Sequence, residues 1–178
     1  MLSAGIIGLG TIGNVVAKAL DEGINGMSLV AIASGRRDKA LASIAGLSSP
    51  VELMSIDEVA ACCDVIVDCA PKSVFHDIAV AAFSRGRILV TVSGAGILAN
   101  EDIEDMAREN GGQLVLATGA LLGLDAVRAA AEGEIHSVRM ITRKPPNALK
   151  DAPHIIDNNI SLDRLNGAIQ VFKGSARE

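Results

Sequence analysis

The sequence predicts an α/β protein, a doubly wound parallel sheet followed by an incomplete second α/β domain. Three observations carry that reading. Strand-like and helix-like segments alternate from the first residue, the pattern of a parallel sheet covered by helices on both faces. G-L-G-T-I-G, with Gly8, Gly10 and Gly13, stands between an apolar run and a helix-like stretch. Beyond residue 120 the alternation gives way to a long stretch rich in Pro, Asn and Asp.

The elements follow in order. Leu2–Gly8 reads as the first strand and Ile12–Glu22 as the first helix, with Leu29–Ala33 the second strand and Lys39–Ala45 the helix after it. Val51–Met54 fits a short third strand, and Ser55-Ile56-Asp57-Glu58 a capping box, with Ser55 as N-cap and Glu58 reaching back. Asp64–Cys69 is a fourth strand, apolar between its end residues, followed by a helix over Ser73–Ser84. Arg87–Val92 makes a fifth strand, Asn100 caps a helix over Glu101–Asn110, and Leu114–Ala117 makes a sixth. Six strands joined by crossovers give a Rossmann-type dinucleotide-binding domain over residues 1–120. In residues 121–178 a helix is expected at Leu122–Ala131 and strands at Ile135–Thr142 and Ala168–Phe172, around the irregular Arg143–Leu162. A unit of fewer than sixty residues rarely closes a core alone, so it should lean on the first domain, a partner subunit or residues outside the chain.

Composition bounds the function. With 49% hydrophobic residues among 178, a sizeable core is possible, and with three Phe, no Trp and no Tyr it must be built from Ala, Val, Ile and Leu. A net charge of −5, and no Lys/Arg cluster interleaved with aromatics, argue against a nucleic-acid partner. The longest apolar stretch, Ile88–Ala99, is too short for a bilayer and is interrupted by Thr91, Ser93, Gly94 and Gly96. The N-terminus has no basic signal-peptide region. A soluble, cytoplasmic protein without a membrane partner is expected. Cys62, Cys63 and Cys69 read as buried free thiols; even with His76 they lack zinc-ligand spacing, so no metal is expected. His76, His136 and His154 are paired with no Ser or carboxylate in a catalytic pattern, and no catalytic residue is assigned.

The chemistry concentrates at the strand ends, where open parallel sheets bind ligands. Gly8 permits a tight turn, Gly10 lets the backbone approach a pyrophosphate, and Gly13 lets helix and strand pack closely; Thr11 and Ile12 open the helix whose unpaired N–H groups face the phosphates. The other ends are small or polar: Ser34-Gly35-Arg36, Ala70-Pro71, Ser93-Gly94-Ala95-Gly96 and Thr118-Gly119-Ala120. At the second strand end an NAD site usually carries a carboxylate for the ribose hydroxyls, but here the first one is delayed to Asp38. Ser34 can donate to a 2′-phosphate, and Arg36 or Arg37 can pair with it, so NADP is preferred to NAD; the competing reading makes both arginines solvated residues of a surface helix. Arg143 and Lys144, set before Pro145 and Pro146, are candidates for holding a dicarboxylate substrate, or else a solvated strand end.

The glycine motif, Thr118-Gly119-Ala120-Leu121-Leu122-Gly123-Leu124-Asp125-Ala126, Thr142-Arg143-Lys144-Pro145-Pro146 and the terminal Val171–Glu178 together resemble the L-aspartate dehydrogenase family. The resemblance covers essentially the whole chain. It implies a nicotinamide-binding domain followed by an α/β substrate and dimerisation domain in a homodimer. It further implies oxidation of L-aspartate to iminoaspartate and then oxaloacetate and ammonia, linked to NAD biosynthesis. On that pattern Ala120 lies against the cofactor. Family members run past Gly-Ser-Ala-Arg-Glu into a cofactor-touching helix and a region with the proposed catalytic His, so residues 121–178 are expected to be a truncated domain, and the polypeptide by itself to bind cofactor and turn over slowly or not at all. A non-catalytic NADP-binding module and a reductase of another carbonyl or imine are the alternatives.

Overall fold

A computed structural model describes residues 1–119 and 123–175. They form two compact units, Met1–Leu122 and Gly123–Glu178. Ala120, expected against the cofactor, lies outside the described residues.

In the first unit six parallel strands, β1 (Leu2–Ile7), β2 (Met27–Ala33), β3 (Glu52–Met54), β4 (Val65–Asp68), β5 (Ile88–Thr91) and β6 (Gln113–Leu116), stand in the order β3-β2-β1-β4-β5-β6. The order reverses at β1 and β4, and this places a crevice at their carboxyl ends. Six helices join the strands: α1 (Thr11–Gly23), α2 (Arg37–Ile44), α3 (Ile56–Cys62), α4 (Phe75–Phe83), α5 (Gly94–Ala99) and α6 (Ile103–Glu109). Side chains of successive strand residues alternate between the faces. Ile7, Ala31, Ala33 and Ile66 therefore pack with Val59, Phe75, Ile78, Phe83 and Ile103 of α3, α4 and α6. Ala4, Ile6 and Ile32 pack on the other face with Ala17, Leu20 and Ala40 of α1 and α2. Besides aliphatic residues the core uses two of the three phenylalanines, Phe75 and Phe83, both fully buried.

Several expectations are corrected. Asn100 does not open the helix after it: its Nδ2 donates to the Gly96 carbonyl at 2.8 Å, closing α5, and Asp102 takes the N-cap position of α6. The helix α5 begins within Ser93-Gly94-Ala95-Gly96, which reads in the sequence only as a small, polar strand end. Cys62 is exposed, Cys63 buried and Cys69 intermediate. Val59, Ala60 and Cys63 occupy the inward stripe at helical spacing, and this turns the side chain of Cys62 outward.

The second unit contains α7 (Leu124–Ala130), a 3-10 turn at Pro146–Ala148 and α8 (Pro153–Asp157). Neither Ile135–Thr142 nor Ala168–Phe172 forms the expected strand. Val138, Met140 and Ile141 are 62%, 67% and 70% exposed. A strand satisfies its N–H and C=O groups only against a neighbouring strand, and the described residues of this unit supply none. His154 joins distant parts of the unit: its Nε2 lies 3.0 Å from the Val171 carbonyl oxygen and its ring meets Phe172 edge to face.

Candidate nucleotide-binding site

The link from β1 to α1 is three residues long, so Gly8-Leu9-Gly10 must turn sharply at the carboxyl edge of the sheet. Gly8 does so at φ +95°, and a Cβ there would stand 2.6 Å from the Ala70 backbone nitrogen. A Cβ at Gly13 would overlap the Gly8 carbonyl oxygen, so the first turn of α1 is packed directly on the loop. Gly10 is different. In the direction its Cβ would take, the nearest atom is Arg36 Nη2 at 3.8 Å, so its α-carbon is bare on an open side. Asn14 holds the loop from behind, with Nδ2 donating to the Gly10 carbonyl at 2.8 Å. No N-cap side chain claims the first N–H groups of α1, which has thirteen residues and presents the positive end of its dipole to the crevice.

A cavity of about 700 Å³ opens in front of this loop. Its walls come from four strand ends: Gly8, Leu9 and Gly10 after β1, Ser34, Gly35 and Arg36 after β2, Met54 at the end of β3 with Ser55 and Ile56 after it, and Cys69, Ala70, Pro71 and Val74 after β4. Its volume and mixed apolar and polar lining suit an extended organic ligand. The bare Gly10 backbone and free helix N–H groups suit a diphosphate within it. These residues fit a nicotinamide dinucleotide.

Of the residues singled out in the sequence, Gly8, Gly10, Ser34, Arg36, Ala70 and Pro71 line the cavity. Thr11 and Ile12 form the first turn of α1, and Gly13 lies under the loop. The Ser34 hydroxyl accepts the Arg36 N–H at 3.3 Å, which leaves its hydrogen available to a ligand. Arg37 is the first residue of α2 and is not among the lining residues. Its charge acts on Glu58, whose carboxyl is held low by the Ser55 N–H and hydroxyl and then, more weakly, by Arg37. Ser93 sits at the N-cap position of α5, outside the lining, with its N–H donated to Thr91 Oγ1 at 2.9 Å. Arg143 and Lys144 are exposed residues of the second unit, in a stretch without regular structure.

Met54, Ser55 and Ile56 also line the cavity but are not among the residues singled out in the sequence. The strand-end rule applied to the third strand would have found them. Burial pushes the thiol of Cys69, in the cavity wall, up to about 11 and that of Cys63 up to about 12, so neither is a ready nucleophile. Among the described residues no three His, Cys, Asp or Glu side chains are grouped to hold a metal ion. No helix among them is long and apolar enough to cross a membrane.

Two family models match in succession: the NAD-binding domain of homoserine dehydrogenase over residues 8–117 and the aspartate dehydrogenase C-terminal region over residues 125–178. An L-aspartate dehydrogenase from Bradyrhizobium diazoefficiens is 46% identical over 177 residues, 99% of this chain and 63% of that protein. The chain belongs to the L-aspartate dehydrogenase family. Another relative, the L-aspartate dehydrogenase of Methanosarcina acetivorans, is 32% identical over all of this chain and 67% of its own length. The chain therefore spans about two thirds of the length of these family relatives. Among solved structures, a probable dehydrogenase from Thermotoga maritima superposes with a TM-score of 0.59 at 18% identity, covering 74% of this chain and 41% of that one. A scyllo-inositol dehydrogenase from Lactobacillus casei with bound NAD(H) gives 0.60 at 16% identity, covering the same shares. These two likenesses carry the fold, which the family shares with dehydrogenases of other substrates.

Proposed function

We propose that this chain supplies the cofactor-binding part, and the opening of the substrate-binding part, of an enzyme that oxidises L-aspartate with NADP or NAD. The observation that carries the reading is the bare Gly10 backbone at the N-terminus of α1, facing a cavity built from four consecutive strand ends. The names of its relatives and the match over residues 125–178 support aspartate as the substrate.

In this reaction the Cα–H of aspartate leaves with its electron pair, the ammonium gives up a proton, and the resulting iminoaspartate is hydrolysed to oxaloacetate and ammonia. A bound nicotinamide supplies the hydride acceptor. The chain's own contribution is to bind and orient: main-chain N–H groups at Gly10 to Gly13 receive the diphosphate, and the apolar walls at Met54, Ile56, Pro71 and Val74 exclude water from one side of the ligand. Arg143 and Lys144 serve as the cations for the substrate carboxylates, a role that predicts a raised KM for aspartate in Arg143→Ala. In the whole protein the activity belongs to a cytoplasmic homodimer that feeds NAD biosynthesis.

The cofactor is NADP in preference to NAD. Arg36 lines the cavity, Ser34 keeps a hydroxyl hydrogen to give, and the carboxylate that would repel a 2′-phosphate is absent from the Ser34-Gly35-Arg36 turn. Fluorescence titrations of NADPH and NADH test this. Replacing Arg36 and Arg37 together by Ala should weaken NADPH roughly tenfold more than NADH, and equal losses would overturn the preference. Reduction of NADP with L-aspartate, against malate and homoserine, tests the substrate in a polypeptide as long as its relatives. Binding without turnover on any of the three would favour a non-catalytic nucleotide module, and turnover on another substrate a different dehydrogenase.

A further inference from the structure

We infer that Asp68 and Thr91, buried at the carboxyl ends of β4 and β5, are a positioning pair that ties the loop after β4 to that after β5 and so holds the β4 loop where a dinucleotide needs it. The inference rests on the nucleotide-binding reading above and assigns roles to two residues that do not line the cavity.

Asp68 is 1% exposed and Thr91 fully buried, and they are the only buried polar or charged residues among those described. A carboxylate in such a place is costly unless its lone pairs are used. Here they are. The two residues are register partners on adjacent strands, and Thr91 Oγ1 donates to Asp68 Oδ2 at 2.7 Å. The other oxygen, Oδ1, accepts the Ala70 N–H at 3.0 Å. Thr91 Oγ1 in turn accepts the Ser93 N–H at 2.9 Å. The hydroxyl spends its single hydrogen on the carboxylate and a lone pair on the peptide. The result is a continuous chain of bonds from the backbone at Ser93, through both side chains, to the backbone at Ala70.

One end of that chain is a place where the site is built. Ala70 and Pro71 are cavity wall, and the Ala70 nitrogen lies within 2.6 Å of where a Cβ on Gly8 would be. The loop Gly8-Leu9-Gly10 therefore rests directly on the peptide that Asp68 holds. At the other end, Ser93 begins α5. An apolar pair such as Val and Leu would fill the same space without burying a carboxylate, but could hold neither peptide N–H. Positioning of the two loops is the property that the polar pair adds.

The test uses the 178-residue chain and fluorescence titration with NADPH and NADH, at a temperature well below each variant's unfolding midpoint. Thr91→Val keeps the shape and removes the hydroxyl; Asp68→Leu keeps the approximate shape and removes both acceptors. Each should raise Kd roughly threefold to tenfold, and Thr91→Ser, which restores the hydroxyl, should return Kd to within about twofold of the wild type. A residue that only fills the core would lower the melting temperature and leave Kd unchanged. Wild-type affinity in folded Thr91→Val overturns the inference. Should Thr91→Val fail to fold, wild-type affinity in Asp68→Leu, or a Thr91→Ser affinity as poor as that of Asp68→Leu, overturns it equally. If the wild-type chain binds neither nucleotide, the underlying reading falls and takes this inference with it. Variants that match a wild type able to bind refute the inference alone.

Discussion

The three glycines of the opening loop differ in what a side chain would meet, and this separates binding from folding at single-residue resolution. At Gly10 a Cβ enters open space beside Arg36 Nη2. Gly10→Val should leave the unfolding midpoint near that of the wild type and abolish measurable NADPH binding, because its methyl groups occupy the space of the diphosphate. Unchanged affinity would reduce the loop to a turn. At Gly13 the added atom overlaps the Gly8 carbonyl oxygen, a backbone atom that cannot swing away. Gly13→Ala should destabilise the chain by about 1–3 kcal/mol, the range for overpacking, as read from urea denaturation. Arg36 and Arg37 diverge in the same way. Single replacements should place the loss of NADPH affinity on Arg36, which lines the cavity, rather than on Arg37.

Among the elements, α3 has only seven residues and depends on its ends. Ser55 accepts the Glu58 N–H, and Glu58 Oε2 accepts the Ser55 N–H at 2.8 Å, completing a capping box. At the other end Arg87 reaches across from the sheet. Its Nε and Nη2 each donate at 3.0 Å to the carbonyls of Ala60 and Ala61, where the helix dipole favours a cation. Because Met54, Ser55 and Ile56 form one wall of the cavity, the cap that starts α3 also shapes the site. Ser55→Ala should cost about 1 kcal/mol in thermal or urea unfolding, and Ser55→Asp, which keeps an acceptor at the N-cap, should recover most of it. Equal losses in the two variants would mean that the cap contributes little.

At the scale of the whole molecule, four carboxylates contribute to acid stability, and they do not all act in the same direction. Asp21 is held below its ordinary value of 3.8 by the N–H groups and hydroxyls of Ser48 and Ser49, and Asp64 by the Ser3 N–H and hydroxyl, with Arg87 adding to it. Glu58 is lowered from 4.5 by Ser55. For these three the folded state prefers the anion. The stability they contribute is full above their ordinary values and is lost as pH falls through the lowered folded values. Asp68 is opposite: burial pushes it up against the pull of Thr91 and Ala70, so its contribution is full below 3.8 and is lost as pH rises through its raised folded value. Urea midpoints measured between about pH 3 and pH 7 should fall on the acid side. Asp64→Asn should flatten that fall, and Asp68→Asn should steepen it by removing the opposing contribution. A curve that Asp64→Asn leaves unchanged would show that Ser3 and Arg87 do not hold that carboxylate in solution.

Much of this protein is written in local pattern. The alternation of strand and helix, the Gly8, Gly10 and Gly13 spacing and the Ser55–Glu58 cap are each specified by residues within a few positions of one another. The sequence alone therefore determined the sheet, the glycine loop at its carboxyl edge and the family. Tertiary structure decided what depends on distant neighbours. It made Arg36, and not Arg37, part of the cavity wall, and it joined Asp68 to Thr91 across 23 residues of sequence. It also left Ile135–Thr142 and Ala168–Phe172 without strand structure, although their composition favours strands. Apolar alternation specifies which face a strand would bury, but a strand exists only when another backbone takes up its hydrogen bonds, and no single segment encodes its neighbour.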